Sequence, residues 1–291
     1  MHQRRLPAAR LLTLLHFVRR DRAGRTLRTS EMLALLAALV SAGSLPAAEP
    51  VPLPQAHAHN DYLHERPLLD ALDHGFCSVE ADVFLVDGQL LVAHERAELS
   101  PDRTLADLYL DPLRERARTG GGRVWPDGPP LTLLIDIKSE AEPTYRALHD
   151  LLSRYGDLLS TVRDGQVDQK AVTVILSGNR PRELLLSQPL RFAGLDGRVE
   201  DLDSTLPSHA LPLISDRWGK LFTWSGEGAM PAEQRARMDQ IVSRAHAAGR
   251  RVRFWATPER VELWRVLDEA GVDLINTDDL AGLQAFLADR Q

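Results

Sequence analysis

Ser78-Val79-Glu80-Ala81-Asp82-Val83-Phe84 sets two carboxylates two residues apart inside an apolar run. In an extended strand such residues share a face, so Glu80 and Asp82 point together while Val79, Ala81 and Val83 point the other way. Leu131-Thr132-Leu133-Leu134-Ile135-Asp136-Ile137-Lys138 repeats the device, with Asp136 and Lys138 on one face and Ile135 and Ile137 on the other. Buried charge without a partner is costly. Three carboxylates and a lysine facing the inside of a sheet therefore require a cation or a dense hydrogen-bond network. Ligands that are all oxygen suit Mg2+ or Ca2+ better than zinc.

Upstream lies Ala56-His57-Ala58-His59-Asn60-Asp61-Tyr62; downstream lie Asp87-Gly88 and Leu90-Leu91-Val92-Ala93-His94-Glu95. Beyond these, short β-rich runs near 55–59, 78–85, 131–138, 171–177, 191–195, 211–215, 251–256 and 272–276 alternate with helical patterns. The helical patterns cover 65–74, 143–155, 180–187, 231–248, 258–270 and 278–289, with Pro143 and Pro258 at first-turn positions and Asp278 and Asp279 opening the last. Alternation of this kind implies a parallel sheet with crossover helices, and eight strands in this length fit an α/β chain folded as a (β/α)8 TIM-type barrel. A doubly wound open sheet is the alternative, but its glycine-rich first turn is missing. Residues 51–291 are expected to form one domain. Segment 95–130, with Gly120-Gly121-Gly122 and Pro129-Pro130, reads as an insertion or long loop.

The 291-residue chain carries a net charge of −6, unevenly spread. Residues 1–50 hold eight arginines against Asp21, Glu31 and Glu49, leaving 27 basic and 38 acidic residues beyond them. So acidic a body is a poor nucleic-acid binder, because phosphate neutralisation needs Lys and Arg. Cys77 is the one cysteine, which excludes a disulfide framework and a cysteine-rich zinc site. The arginine-rich start, the apolar Met32–Val40 run and the small residues up to Ala47-Ala48-Glu49 match a secretory signal. The apolar run is about half the ~20 residues that a membrane span needs. An exported protein, periplasmic or secreted, with no stable membrane span in its mature form is the expectation; an uncleaved N-terminal anchor is the alternative.

A histidine closing the first strand, Glu-x-Asp on the second, then Asp-Gly and His, and an acidic-x-Lys strand together resemble the glycerophosphodiester phosphodiesterase family. That family belongs to the phosphatidylinositol-phospholipase-C-like superfamily, which includes the spider-venom sphingomyelinases D. Val252-Arg253-Phe254-Trp255-Ala256-Thr257 and Gly271-Val272-Asp273-Leu274-Ile275-Asn276-Thr277-Asp278 resemble its last two strands. His59-Asn60-Asp61-Tyr62 with Phe254-Trp255-Ala256-Thr257-Pro258 is similar to the branch around the fungal altered-inheritance-of-mitochondria protein six. The resemblance spans 57 to about 280. It implies a phosphoric diester hydrolase acting on a small-molecule or lipid phosphodiester, in some relatives through a cyclic phosphate. It also implies His59 and His94 as general acid and base, Glu80, Asp82 and Asp136 as metal ligands, and Lys138 against a phosphate oxygen. Asn60 and Trp255 are the candidate substrate contacts. Asn60 stands where the family has a phosphate-gripping arginine, His94-Glu95 replaces His-Asp, and Asp136 is one methylene shorter than the usual glutamate.

Two other readings compete. His57-Ala58-His59 imitates the opening of multinuclear, amidohydrolase-like metal barrels, but such sites need further imidazoles. The later strand ends, Ser177-Gly178, Leu195-Asp196, Ser215-Asp216, Ala256-Thr257 and Asn276-Thr277, supply none. A metal-binding barrel without catalysis is the second reading, since a fold does not fix a function.

Overall fold

The computed structural model describes residues 50–290. Eight parallel strands close on themselves: β1 (Leu53–Ala58), β2 (Phe76–Val86), β4 (Leu131–Ile137), β7 (Val172–Gly178), β9 (Ala193–Gly197), β10 (Leu213–Arg217), β11 (Arg251–Trp255) and β12 (Leu274–Thr277). They neighbour one another in that order, and β12 pairs back onto β1 to complete the barrel. β3 (Gln89–Val92) folds antiparallel onto β2 through Asp87-Gly88, both at positive φ as a tight hairpin turn requires. Outside the barrel, β5 (Thr161–Arg163), β6 (Gln166–Asp168) and β8 (Leu190–Arg191) form a small antiparallel sheet that sequence patterning does not reveal.

The alternation along each strand divides the core. Val79, Ala81, Val83, Leu133, Ile135, Ile137, Val252 and Phe254 are buried in the large apolar cluster between barrel and helices. Leu134, Ile175, Leu213 and Leu274, on the opposite faces, make a separate cluster that plugs the barrel interior. Toward the carboxyl edge the same inward positions turn polar: Glu80, Asp82, Ser177, Asp196, Ser215, Arg253 and Asn276 are all buried. A polar layer above an apolar plug is where a barrel carries its site.

The helices follow the expected pattern with shorter ends: α1 (Leu69–Asp73), α3 (Ala141–Leu152), α4 (Arg182–Ser187), α6 (Ala232–Ala247), α7 (Val261–Glu269) and α8 (Leu280–Ala288), besides a single turn, α5 (Trp218–Leu221). Pro258 lies ahead of α7 rather than in its first turn, and Asp279 alone caps α8, accepting from the Gly282 N–H at 2.9 Å. Segment 95–130 is not a loop throughout. A π-helical turn (Ala106–Leu110) runs into α2 (Asp111–Thr119). Leu105, Tyr109, Leu110 and Leu113 recur at helical spacing and are fully buried. Arg116 stacks 4.7 Å from the ring centre of the buried Trp125, closing the segment onto the body.

Tyr109 also anchors this segment to the first strand's end: its hydroxyl donates to Asp61 at 2.8 Å, and the Leu68 N–H donates to the same carboxylate oxygen at 2.6 Å. Burial outweighs these two hydrogen bonds and pushes Asp61 up to about 7. The folded protein therefore binds a proton that the unfolded chain releases near 3.8, and stability present at low pH is lost as pH rises toward 7. Asp61→Asn keeps the acceptor and removes the charge. Urea denaturation across pH 5–8 should show the variant gaining on the wild type by up to about 3 kcal/mol between the acid and alkaline ends. Parallel profiles would contradict this.

Candidate active site

The hydrogen-bond register of β2 and β4 sets Asp82 directly opposite Asp136, with Glu80 one inward step below. One oxygen from each of Glu80, Asp82 and Asp136 lies within 4.8 Å of the others, a spacing that a single cation can bridge. Two observations fit this set to a divalent ion. Asp82 Oδ1 is buried and has no hydrogen-bond partner. Gly178, at φ 65, cradles Asp136: a Cβ there would lie 2.0 Å from its Oδ1. Burial first, and the Glu80 charge second, push Asp82 up to about 6, against the opposing pull of Lys138. Burial likewise raises Asp136 above the ordinary carboxylate range. Such groups are short of positive charge.

Two cations already flank the cluster. Lys138 Nζ lies 3.1 Å from Asp82 and 3.4 Å from Asp136. The fully buried Arg253 donates to Glu80 Oε2 at 2.5 Å. Burial alone would raise the Glu80 pKa, but Arg253 and the His57 hydrogen bond hold it well below the usual range. Histidines aside, three carboxylates and two cations leave this mouth at −1. One divalent cation would turn it to +1, the sign that receives an anionic diester.

Three histidines have three different situations. His57 is fully buried, and burial first, with Arg253 second, pushes it down to about 4. Its neutral ring places Nε2 2.5 Å from Arg253 and 3.2 Å from Glu80 Oε2, and Nδ1 2.7 Å from Ser78 Oγ. With both nitrogens engaged it is a packing group, which removes the His-x-His metal reading. His59, whose side chain is 23% exposed, places Nδ1 2.8 Å from Asp278 Oδ1. Burial opposes its charging, but the Asp278 hydrogen bond and the Glu80 charge outweigh it and raise the pKa.

His94, 48% exposed after β3, reaches the cluster through Tyr62. The phenol lies 2.6 Å from Asp82 Oδ2, 2.9 Å from His94 Nδ1 and 2.8 Å from Asn60 Oδ1. A phenol has one proton, and the shortest contact takes it to Asp82. His94 Nδ1–H then donates to the phenol oxygen, leaving Nε2 as the outward lone pair. Asn60, at φ 48, donates to Asp278 at 3.2 Å and so lies between the two histidine assemblies. Trp255 is half-buried at the end of β11. Thus the structure brings His59, Asn60, Glu80, Asp82, His94, Asp136 and Lys138 to one barrel mouth. Tyr62, Arg253 and Asp278 join them without having been singled out as site residues. The inward parity of Arg253 on a strand ending Arg253-Phe254-Trp255 was the signal for one of these; nothing local marked Tyr62.

Over 271 residues, 80% of this chain and 69% of the relative, the sequence is 31% identical to altered inheritance of mitochondria protein 6 of Eremothecium gossypii. The chain belongs to the altered inheritance of mitochondria protein 6 family. The homologue from Arthroderma benhamiae is 31% identical over 81% of this chain and 84% of its own length. Residues 47–119 match the AIM6-like phosphodiesterase domain, and residues 251–281 the glycerophosphoryl diester phosphodiesterase family. In fold, the chain is similar to a glycerophosphodiester phosphodiesterase from Agrobacterium tumefaciens, with a TM-score of 0.51 at 16% identity, over 81% of this chain and 100% of that one.

Membership in this family corrects one expectation. Proteins named for the inheritance of mitochondria point inside the cell, not to export to a periplasm or medium. The secretory reading rested on arginines followed by a short apolar run, and arginine-rich, acid-poor starts also occur in organelle-targeting segments. Residues 1–49, which carried that reading and its anchor alternative, lie outside the described residues. Among the described residues no helix is long and apolar enough to cross a membrane.

Proposed function

We propose that residues 51–291 form a metal-dependent phosphodiesterase that cleaves a small-molecule or lipid-type phosphodiester by acid–base catalysis between His59 and His94. One observation carries this reading: two imidazoles, each with Nδ1 tied directly or through Tyr62 to a carboxylate, flank a three-carboxylate cluster whose Asp82 Oδ1 has no partner. Glu80, Asp82 and Asp136 would hold one Mg2+ or Ca2+, which supplies positive charge against the charge that builds on phosphorus. Lys138, adjoining the same carboxylates, would face a non-bridging phosphate oxygen.

The rest follows from proton positions. His94, with its outward lone pair, takes the proton of the attacking hydroxyl, whether water's or a neighbouring hydroxyl of the substrate. His59, kept protonated beside Asp278, gives its proton to the leaving alcohol oxygen. Asn60 and Trp255 line the approach and contact the alcohol groups. Bis-p-nitrophenyl phosphate and a panel of glycerophosphodiesters, assayed with Mg2+ or Ca2+, test the reading. Turnover that EDTA abolishes and added metal restores is expected. No turnover with any divalent ion and any diester, or full turnover in EDTA, would overturn it.

A further inference from the structure

The mouth has a second charged side, away from His59 and Asp278. β7 ends at Gly178, and the chain turns there so that Arg180 folds back and donates to the Gly178 carbonyl at 3.0 Å. Gly178 is the residue against which Asp136 packs, so this guanidinium sits next to the wall of the metal-ligand cluster. One strand further round, Arg198 follows β9. It donates to the buried Asp196 at 2.7 Å, to Ser215 at 3.3 Å and to Ser177 at 3.4 Å. Ser177 is the residue directly across from Asp136.

The neighbouring arginines are paired: Asp196 is taken by Arg198, and Asp201 by Arg182 at 2.7 Å. Arg180 has no carboxylate of its own. Among the described residues no carboxylate lies within salt-bridge distance of it. It is nonetheless half-buried, and burial, then the Arg198 charge, depress its pKa against the opposing pull of Asp196 and Asp201. A guanidinium withdrawn from water beside a like charge gains little for the fold itself. It gains when an anion arrives, because its planar fork matches phosphate and carboxylate oxygens in pairs.

We infer that Arg180, backed by Arg198, is an anion subsite that selects phosphodiesters carrying a second negative group, a phosphate or carboxylate, on one of their alcohols. The inference rests on the phosphodiesterase reading for the placement of the diester, but its geometry is independent of Asn60, which stands on the β1 side.

Binding without turnover separates the two. Calorimetric titration with Ca2+ present, every protein carrying His59→Ala to prevent turnover, compares glycerophosphoinositol with glycerophosphoinositol 4-phosphate, which differ by one phosphomonoester. The wild type should prefer the phosphorylated compound by on the order of 10- to 100-fold, the worth of one paired charge-assisted contact. Arg180→Gln should abolish that preference, and Arg180→Lys should restore part of it. An equal affinity of the wild type for both compounds would overturn the inference, and so would a preference that survives in Arg180→Gln. Circular dichroism and melting of both variants should match the wild type, since Arg180 holds no ion pair. A catalytically silent protein that still shows the Arg180-dependent preference would defeat the phosphodiesterase reading alone.

Discussion

Arg253→Met will lower stability by about 3–5 kcal/mol, measured by urea denaturation at pH 7 in EDTA. The size follows from where the charge is left. Glu80 is buried inside the barrel, with Arg253 donating at 2.5 Å as its charge partner. Methionine restores the volume but strands the carboxylate, and losing one member of a buried pair costs far more than the pair contributes. The double variant Glu80→Gln/Arg253→Met should recover much of the loss. The linkage has a definite sign. Glu80's folded pKa is depressed, so its contribution is present above the ordinary glutamate value of 4.5 and is lost as pH falls below it. Arg253→Met should flatten that acid limb. A loss below about 1 kcal/mol, the usual range for an exposed pair, would mean the pair is far better solvated than its burial implies.

His59→Ala is expected to lower kcat on a glycerophosphodiester, whose alkyl alcohol must be protonated to leave, by ~10²–10⁴-fold, the usual contribution of a positioned acid or base. The protein should stay folded, because this part-buried ring lies at the barrel mouth, outside the apolar core. Asp278→Asn is the finer probe. Asp278 raises the His59 pKa, so its removal lowers the pH at which His59 gives up its proton. If His59 is the acid, the alkaline limb of the rate profile moves to lower pH. A limb that does not move, or wild-type turnover in His59→Ala, would take His59 out of the reaction.

Much of this was legible before any coordinates. Period-two alternation at Glu80, Asp82 and Asp136 is enough to put three carboxylates on inward faces, and the run of β and α patterns is enough to close those faces into a barrel. What was hidden depended on contacts between distant residues. Arg253 lies in an ordinary strand, and its meaning appears once β11 faces β2 across the barrel interior. Asp278 reads as helix-opening chemistry, yet it is Asp279 that caps α8 while Asp278 turns to His59. Tyr62 looks like one aromatic among several until its phenol is seen joining Asp82 to His94. The helix over 106–119 was masked by the glycines and prolines that follow it. The export signal was a misreading of composition, since arginines and a short apolar run do not specify one destination.

On this reading the barrel mouth grips one divalent ion. Isothermal titration of the chelator-treated protein with Mg2+ or Ca2+ measures it directly. One ion per chain is expected, with affinity weakened at least about 10-fold in Asp82→Asn and in Asp136→Asn. Two ions, none, or an Asp82→Asn variant that binds like the wild type would contradict it.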